Sequence, residues 1–530
     1  MTRPPYVSLN LRLNAPGRRA VARDLVLALE REIQAGHLTA GLRLPPVRVL
    51  EHQLGISKNT VQAAYDELVA RGLLDTRARE GVFVAQLAQL AQNPTAKAEE
   101  IQPIGAAKPD LVPPRFARAE PTKSGAAGVI QLSTVFIDPD LLPVAQLNDC
   151  FRAVLASKGL QPFYDAQGYP PLRHAIAERL KARGMDASAD DVIITTGSQQ
   201  GIDIVARSLR DRHIATEDPV YSHAKMLFES FGSKLVGLPL NPFEDVPLDL
   251  WAQTLERERP SLLYAITSFQ NPTGHSYSTY ELVQLLELSQ HLSFAILEDD
   301  WGSDMLSGTE YRPTLRALGG PNVLYLNSFT KKLLPALRVG FVVASPDTRD
   351  SLVTAKRIGT LANASVTEAV VFEFLERGYF DTHLKRLHDA LDARYHACLE
   401  ALRDTMPEGV RWSTPGGGPT LWLEVPRSID LQALRERLAK KNVAIEDADA
   451  HFHGSPHLHG FRIGYAFLAE ERLRQGLERV AEALGELGLN QETQSEGQEG
   501  SSLGFDGAAG AGNGALTTAT TTKALSLATS

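Results

Sequence analysis

The sequence predicts an α/β protein with a mainly parallel sheet and a small helical domain at its N-terminus. Three observations lead to this fold class. Between residues 128 and 486, short apolar runs alternate with amphipathic stretches, as in a sheet that helices cover on both faces. Residues 1–85 combine helical periodicity with a hairpin pattern. Residues 86–127 are rich in Gln, Ala, Pro and Lys, which predicts a linker.

Composition excludes several classes of protein. The chain has 530 residues, of which 43% are hydrophobic and 22% charged, as is typical of globular proteins. No apolar run reaches membrane-spanning length and the N-terminus lacks a signal-peptide core, so we expect a cytoplasmic protein without a membrane partner. Only two cysteines occur, which excludes a disulfide scaffold and a cysteine-rich metal site. Residues 487–530, rich in Gly, Ser, Thr, Gln and Ala, predict a disordered tail.

Charge is distributed unevenly along the chain. The net charge is −9, which by itself argues against a nucleic-acid partner. Residues 1–85, however, contain 12 Lys and Arg against 8 Asp and Glu, a net charge of +4, so the remainder carries −13. A basic N-terminal domain on an acidic body indicates that this domain is attracted to DNA.

The N-terminal domain follows the order helix, tight turn, helix and hairpin over residues 42–84. Ser57 is a suitable N-cap for the second of these helices, whose first turn offers small polar side chains and a lysine for phosphate and base contacts. The pattern alone also fits a small helical bundle with solvated charges. The candidate DNA-contacting residues are Arg48, Ser57, Lys58, Asn59, Thr60 and Gly81.

The run LRLPPVRVLEHQLGISKNTVQAAYDELVARGLL, followed by EGVFV, resembles the GntR-type winged helix-turn-helix domain along its whole length. The resemblance implies that this domain binds operator DNA. Two positions depart from the family pattern, Val47 before Arg48 and Val82 in the wing. We expect them to change the preferred DNA sequence without abolishing binding.

In the body, candidate ligand residues follow directly after the predicted strands. In an open α/β sheet, ligands bind beyond the carboxyl ends of the strands. The predicted strands are DVIITT (191–196), LLYAIT (262–267), FAILE (294–298), VLYL (323–326) and GFVVA (340–344).

Three of these strand ends carry residues that suit a phosphorylated aromatic cofactor. Ser198 and Gln199 open a helix after Gly197, which is typical of a phosphate cradle, although many strand-to-helix turns contain Gly-Ser. Asp299 follows FAILE, and a buried carboxylate there needs a cation such as a protonated pyridine nitrogen. The alternative is an exposed strand end. Asn271, in Asn-Pro-Thr-Gly, can donate to a phenolate oxygen or simply form a turn.

Lys331 is the candidate nucleophile of the body. Its amine forms a Schiff base with an aldehyde only when it is unprotonated, and burial near cations favours that state. Ser328 and Arg338 flank it and can bind a phosphate. Tyr221, in Asp-Pro-Val-Tyr, can stack on an aromatic ring. A Lys-Lys pair is otherwise most often part of a solvated surface.

These motifs occur in the chain order of fold-type-I aminotransferases that use pyridoxal 5'-phosphate (PLP), and the resemblance covers about residues 130–485. It implies that Lys331 is the catalytic lysine, Asp299 the partner of the pyridine nitrogen, Asn271 the partner of the ring oxygen and Tyr221 the stacking ring. The residues implied to hold the phosphate are Ser198, Gln199, Ser328 and Arg338.

Three further residues enter through the same resemblance. Arg462, in Gly-Phe-Arg-Ile-Gly-Tyr, resembles the arginine that binds a ligand carboxylate. Tyr164 resembles the tyrosine that reaches the phosphate of a neighbouring subunit, which implies a homodimer. Trp301 stands where the family usually has a tyrosine that donates to the ring oxygen; its indole N–H can donate but cannot act as a phenol does. We therefore expect cofactor binding, with impaired proton transfer.

Four histidines lie within nine residues, at His451, His453, His457 and His459. Such density can bind zinc or nickel. No cysteine is near them, and the glycine, serine and proline between them indicate a loop. We predict no metal site, and expect this loop to lie beside Arg462 near the ligand.

The two domains in this order resemble the MocR family of bacterial regulators. The resemblance implies a PLP-dependent transcription factor that senses an amino-acid or amine effector by forming an external aldimine. One alternative is an active aminotransferase with an accessory DNA-binding domain, which Trp301 disfavours. Another is a regulator whose body is a cofactor-free dimerisation scaffold.

Overall fold

The computed structural model describes residues 5–9, 11, 18–78, 80–85, 128–157, 165–303, 312–320 and 322–489, without the side chains of 18–20. These residues belong to two compact units, one on each side of residue 113. The predicted linker at 86–127, Tyr164 and residues 490–530 of the predicted tail lie outside the described residues. The predicted domain boundaries therefore stay predictions.

The N-terminal unit has the predicted order of elements. Its helices and strands are α1(Arg18–Gln34), α2(Val47–Leu54), α3(Lys58–Ala70), β1(Leu74–Arg77) and β2(Gly81–Val84). The two strands pair antiparallel, with Leu74 opposite Val84. Apolar side chains from all three helices, including Leu25, Leu50 and Leu68, are buried in one core. Helix α2 ends at Gly55, whose φ of 65° is favoured by glycine.

The second unit is built on a seven-stranded sheet. The strands from residue 128 onward are β3(Ile130–Gln131), β4(Val192–Thr195), β5(His213–Asp218), β6(Lys234–Pro239), β7(Leu262–Ala265), β8(Ala295–Asp299), β9(Val323–Ser328), β10(Gly340–Val343), β11(Arg411–Trp412), β12(Thr420–Glu424), β13(Val443–Ala444) and β14(Gly460–Gly464). The strand order of the large sheet is β4-β10-β9-β8-β7-β5-β6. Strand β10 runs antiparallel to both of its neighbours, and the other ladders are parallel. The α/β class with a mainly parallel sheet is confirmed.

Helices cover the large sheet, as its apolar strands predict. The helices are α4(Val144–Ala156), α5(Pro170–Ala182), α6(Ser198–Ser208), α7(Ser222–Ser230), α8(Leu248–Glu258), α9(Thr279–Leu292), α10(Pro346–Thr360), α11(Ser365–Glu376), α12(Tyr379–Thr405), α13(Leu431–Lys440) and α14(Glu470–Glu486). Every residue of β4, β7, β9 and β10 is buried. Helix α6 lies close to the sheet at Gly201, where a Cβ would come within 2.3 Å of Leu326.

Two small sheets complete the second unit. Strand β3 pairs parallel with β13, and β11, β12 and β14 form an antiparallel sheet. They share a core with α12, α13 and α14 that includes Leu421, Leu438 and Leu477. None of the helices within the described ranges has the length and apolar character to span a bilayer.

Candidate functional site

The predicted ligand residues meet at one edge of the large sheet. Asp299 ends β8, Ser328 ends β9, and Ser198 begins α6 directly after β4. Asn271 lies in the loop after β7. The carboxyl ends of these strands face the same edge, because β4 runs in the direction of β9 with the antiparallel β10 between them.

Asp299 is a buried carboxylate with one unused oxygen. Its Oδ2 accepts a hydrogen bond from Tyr264 Oη at 2.8 Å, whereas its buried Oδ1 has no partner among the described residues. Burial raises the pKa of Asp299 to about 7, since the bond from Tyr264 opposes the effect only in part and Asp300 adds to it. An unpartnered buried acceptor is costly, so this oxygen indicates a missing donor. The protonated nitrogen of a pyridine ring is such a donor.

Lys331 has an amine that is easily deprotonated. Its Nζ lies 4.1 Å from the ring centroid of Phe136 and 5.9 Å from that of Trp301. Burial, with added repulsion from Arg462 and Arg338, lowers the pKa of Lys331 to about 7, although Asp299 acts in the opposite direction. Near neutral pH a large fraction of this amine is therefore a free nucleophile.

Trp301 does not offer its N–H to a ligand. Its Nε1 donates to the carbonyl of Phe269 at 3.0 Å, and the side chain is buried. The indole N–H that the sequence offers as a donor is therefore engaged within the chain, and a contact of Trp301 with a cofactor stays a prediction. The indole ring itself lies beside Lys331, so Trp301 forms part of the apolar surroundings of that amine.

A positively charged cradle lies at the start of α6. Arg338 donates from Nη2 to the carbonyl of Thr196 at 2.8 Å, and a Cβ at Gly197 would lie 2.8 Å from the same nitrogen. Glycine at 197, with φ of 83°, is therefore required for the guanidinium to reach this position. The amides of the first turn of α6 need acceptors from outside the helix, and a phosphate can supply them.

The other predicted phosphate residues have partners within the chain. Gln199 donates from Nε2 to the carbonyl of His223 at 3.2 Å, and Ser328 donates from Oγ to that of Val339 at 3.2 Å. Thr330, which the sequence analysis did not single out, has a buried hydroxyl without a partner in the described part of the chain. Its place between Ser328 and Lys331 in the sequence was the available signal.

Arg462 is buried and held by three other residues. Its Nη1 donates to Asn271 Oδ1 at 2.5 Å. Its Nε and Nη2 donate to the carbonyl of Ser133, at 3.2 and 2.9 Å, and Nη2 also donates to the carboxylate of Glu446. Because the amide oxygen of Asn271 faces Arg462, its amide nitrogen remains as the donor for a ring oxygen.

Glu446 was not anticipated from the sequence. Burial acts to raise its pKa, but His451 and Arg462 outweigh this and lower the pKa of Glu446 below its usual value. It is therefore ionised at neutral pH and occupies the arginine expected to bind a ligand carboxylate. A single glutamate in an irregular loop gives no sequence signal of this kind.

Tyr221 lies at the same site with its ring against His223. The two ring centroids are 5.5 Å apart and the planes differ by 24°. Burial, with the nearby charge of Asp299, raises the pKa of Tyr221 to about 12, so the phenol stays neutral. Its predicted stacking on a cofactor ring stays a prediction.

The four histidines of the 451–459 loop have separate partners. His451 donates from Nδ1 to the carbonyl of Val220 at 2.8 Å, and its Nε2 lies 3.7 Å from Glu446. The other three contact Thr216, Leu240 and Ile429. Among the described residues, no group of three or more metal-ligating side chains is arranged to hold an ion. The loop is linked to Arg462 through Glu446.

In the N-terminal unit, most predicted DNA-contacting residues are exposed. Arg48, Ser57, Lys58 and Asn59 are exposed. Thr60 is an exception, because it is buried and its Oγ1 bonds Ser57 Oγ at 2.8 Å while its amide donates to the same oxygen at 3.3 Å. This corrects its assignment as a DNA contact, since it completes the N-terminal cap of α3.

Gly81 begins β2 with φ of 124°. A Cβ at this position would lie 3.0 Å from Arg43 Nε. Glycine therefore lets the wing keep a backbone conformation that other residues rarely adopt.

Two protein families match the chain. Residues 138–480 match class I and II aminotransferases, and residues 21–84 match the bacterial regulatory proteins of the gntR family. The matched ranges lie in the two units separately.

Relatives include both enzymes and regulators. The chain is 31% identical to aromatic-amino-acid aminotransferase 1 of Thermococcus litoralis over 68% of this chain and 88% of that protein. It is 29% identical to the probable rhizopine catabolism regulatory protein MocR of Rhizobium meliloti, over 87% of this chain and 93% of that protein. A similar solved structure is that of LysN, an α-aminoadipate aminotransferase from Thermus thermophilus complexed with N-(5'-phosphopyridoxyl)-L-leucine. The TM-score is 0.64 and the identity 32%, and the match covers 68% of this chain and 93% of that chain.

Proposed function

The chain belongs to the class I and II aminotransferase family and has the MocR-type architecture, a GntR-type domain followed by an aminotransferase domain, and we propose that it is a transcriptional regulator whose body senses an amino compound. PLP is the cofactor of this family, and the residues described above fit it. The observation that carries the proposal is that Asp299 Oδ1 is buried without a partner among the described residues, at the same sheet edge as Lys331, a lysine with a lowered pKa.

Different residues of the chain would bind different parts of PLP. We infer that Ser198, Arg338 and the first amides of α6 hold the phosphate, since charge-assisted bonds to a helix N-terminus favour an anion. Asp299 would hold a proton on the ring nitrogen, and Lys331 would supply the amine for the aldehyde. When bound, PLP supplies an electrophilic carbon and an electron-accepting ring.

The same residues favour sensing over turnover. Arg462 and Asn271, which are hydrogen-bonded to each other, would orient the amino compound beside the amine of Lys331. Trp301 has already donated its N–H to Phe269, so it cannot replace the phenol that assists proton transfer in active enzymes of this fold. We infer that ligand exchange proceeds and that repeated transamination is slow.

The N-terminal unit supplies the DNA contacts. The exposed side chains of Lys58 and Asn59 begin α3, and that of Arg48 lies in the first turn of α2. The cap made by Ser57 and Thr60 fixes the start of α3. We propose that Arg48 reads a base edge and that Lys58 contacts phosphates. We further propose a cytoplasmic homodimer, since operators bound by helix-turn-helix dimers contain two half-sites.

One experiment tests sensing and DNA binding together. PLP-loaded protein is titrated with a panel of amino acids and amines while its visible absorbance and its affinity for DNA upstream of its own gene are measured. A compound that changes the absorbance is expected to change DNA affinity about 5- to 150-fold, the usual range of allosteric coupling. Lys58→Ala should weaken DNA binding and flatten its salt dependence without changing the absorbance response.

Two results would contradict the proposal. One is an absorbance response to amines with no change in DNA affinity for any of them. The other is sustained multiple turnover with an amino donor and a keto acid, which would favour the aminotransferase alternative.

A further inference from the structure

Arg462 already binds a carboxylate that belongs to this chain. A guanidinium has five N–H donors. Four contacts are formed here, two to the carbonyl of Ser133, one to Asn271 Oδ1 and one to the carboxylate of Glu446. The Arg462 side chain is 9% exposed, so these contacts form largely away from water.

A ligand carboxylate needs the Nη2 donor that Glu446 occupies. A tight arginine–carboxylate pair uses two parallel N–H groups. With Glu446 in place, a second carboxylate finds at most one remaining N–H and also meets the charge of Glu446, because like charges in a desolvated site repel each other. A bidentate bond to Arg462 therefore requires that the Glu446 side chain leave.

We propose that Glu446 is a built-in competitor of the effector's carboxylate and thereby sets which amino compounds bind and at what concentration. This rests on the proposed function, because it concerns the ligand of the same site. Glu446 occupies Arg462 in the absence of ligand. A carboxylate-bearing effector displaces it, whereas an amine without a carboxylate has no need to.

The structure provides room for the displaced side chain. A cavity of about 490 Å³ beside α13 is lined by Glu446 together with Arg435, Leu458 and Phe461. The lining also contains Arg427 and three aspartates, Asp430, Asp447 and Asp449, and Arg435 pairs with Asp447. A carboxylate that leaves Arg462 can therefore reach open space in this cavity.

Displacement does not require movement of the backbone. The amide of Glu446 donates to Ser133 Oγ at 3.0 Å, and Ser133 Oγ donates to the carbonyl of Arg462 at 2.8 Å. The Glu446 side chain is 37% exposed, so a rotamer change can carry its carboxylate away from the arginine. The apparent affinity for a carboxylate ligand is reduced by the fraction of molecules in which Glu446 occupies the site.

The test compares three matched probes on the PLP-loaded, full-length protein. L-phenylalanine has both the amine and the carboxylate, phenethylamine lacks the carboxylate, and 3-phenylpropionate lacks the amine. Binding of the first two is followed by visible absorbance, and binding of the third by isothermal titration calorimetry.

Glu446→Gln keeps the size of the side chain and removes its charge. We expect it to bind L-phenylalanine and 3-phenylpropionate about tenfold more tightly than the native protein does, because a neutral amide competes less well for a guanidinium. Its affinity for phenethylamine should stay within about twofold of the native value, since this probe does not need Arg462. Glu446→Asp, which keeps the charge, should remain closer to the native protein.

Asp447→Asn is the matched control, because it removes a neighbouring carboxylate that pairs with Arg435 rather than Arg462. It should leave the affinities for all three probes unchanged. Unchanged or weaker binding of both carboxylate probes by Glu446→Gln would overturn the proposal and make Glu446 a support for Arg462. If no amine alters the absorbance of native protein, the proposed function fails, and 3-phenylpropionate alone then decides the role of Glu446.

Discussion

Two aspartate–lysine pairs at one sheet edge are neighbours in sequence but differ in their hydrogen bonding. Asp299 and Lys331 lie in the proposed ligand site, where Asp299 Oδ1 has no partner within the described chain and Lys331 contacts aromatic rings. Asp300 and Lys332, one residue further along, belong to a buried hydrogen-bonded network. Asp299 ends β8 and Asp300 follows it, so the two carboxylates point to opposite sides. Lys331 and Lys332 lie in the turn after β9, where Lys332 donates to Asn327.

The network around Asp300 has the characteristics of structural support. Its carboxylate accepts from Tyr325 Oη at 2.6 Å and from the amide of Ser303 at 3.0 Å. Lys332 donates to Asn327 Oδ1 at 2.7 Å, and Asn327 Nδ2 donates to Tyr325 Oη at 2.8 Å. A buried polar network that is satisfied internally stabilises a fold, whereas an unsatisfied one is suited to a ligand. Asp300 and Lys332 therefore stabilise the fold, whereas Asp299 and Lys331 are available to a ligand.

The largest expected effect is on cofactor attachment. Lys331→Ala should abolish the visible absorbance that appears when PLP is added, because the attaching amine is lost. Lys332→Met should retain that absorbance, since its amine is engaged with Asn327. The measurement is an absorbance spectrum after PLP addition and desalting. Loss of the band in Lys332→Met with retention in Lys331→Ala would reverse the assignment of the two lysines.

The next effect concerns stability. Asp300→Ala should lower the free energy of unfolding of cofactor-free protein by about 3–5 kcal/mol, as expected when one partner of a buried charged network is removed. Asp299→Asn should change it by less than about 1 kcal/mol, because it removes a desolvated charge that lacks a full set of partners. Urea denaturation followed by tryptophan fluorescence measures both. Equal losses in the two variants would show that both aspartates are structural.

Asp299→Asn should instead weaken the binding of PLP. A hydrogen bond to a charged group contributes about 1.5–3 kcal/mol, so the dissociation constant should rise about 10- to 150-fold. Equilibrium dialysis of PLP against the two proteins gives the ratio. Native affinity in this variant would exclude Asp299 as the partner of the ring nitrogen.

The smallest effect is on pH dependence. Because the pKa of Lys331 is lowered to about 7, the rate of PLP uptake should rise as pH increases and reach half its maximum near pH 7. In Asp299→Asn the midpoint should move to lower pH, since the negative charge that opposes the lowering is removed. Stopped-flow absorbance between pH 5 and pH 10 covers the range about both midpoints. A midpoint near that of an exposed lysine would contradict the burial of this amine.

The sequence was sufficient for the fold class and for most of the site. Four of the five predicted strands of the sheet are followed closely by a candidate ligand residue, so Ser198, Asp299 and Lys331 could be found from local patterns. The antiparallel direction of β10 could not be predicted, because a short buried apolar run has the same pattern in a parallel and in an antiparallel strand.

Ser133 and Tyr264 were not predicted, because each contacts its site residue across a long stretch of sequence. Ser133 and Arg462 are 329 positions apart, and Tyr264 and Asp299 are 35 apart. Neither pair has a pattern along the chain, because the fold alone brings them together. Thr60 and Trp301 were assigned to ligands although their polar atoms bond Ser57 and Phe269, which only the packed structure reveals.

Ser133 connects the effector's arginine to the start of the body. Its carbonyl accepts from Arg462 and its hydroxyl binds the backbones of Arg462 and Glu446, yet it lies only five residues after Gly128, where the described part of the body begins. A shift of the Arg462 guanidinium would therefore act first on Ser133 and on β3, the opening strand of the described body, whose pairing partner is β13.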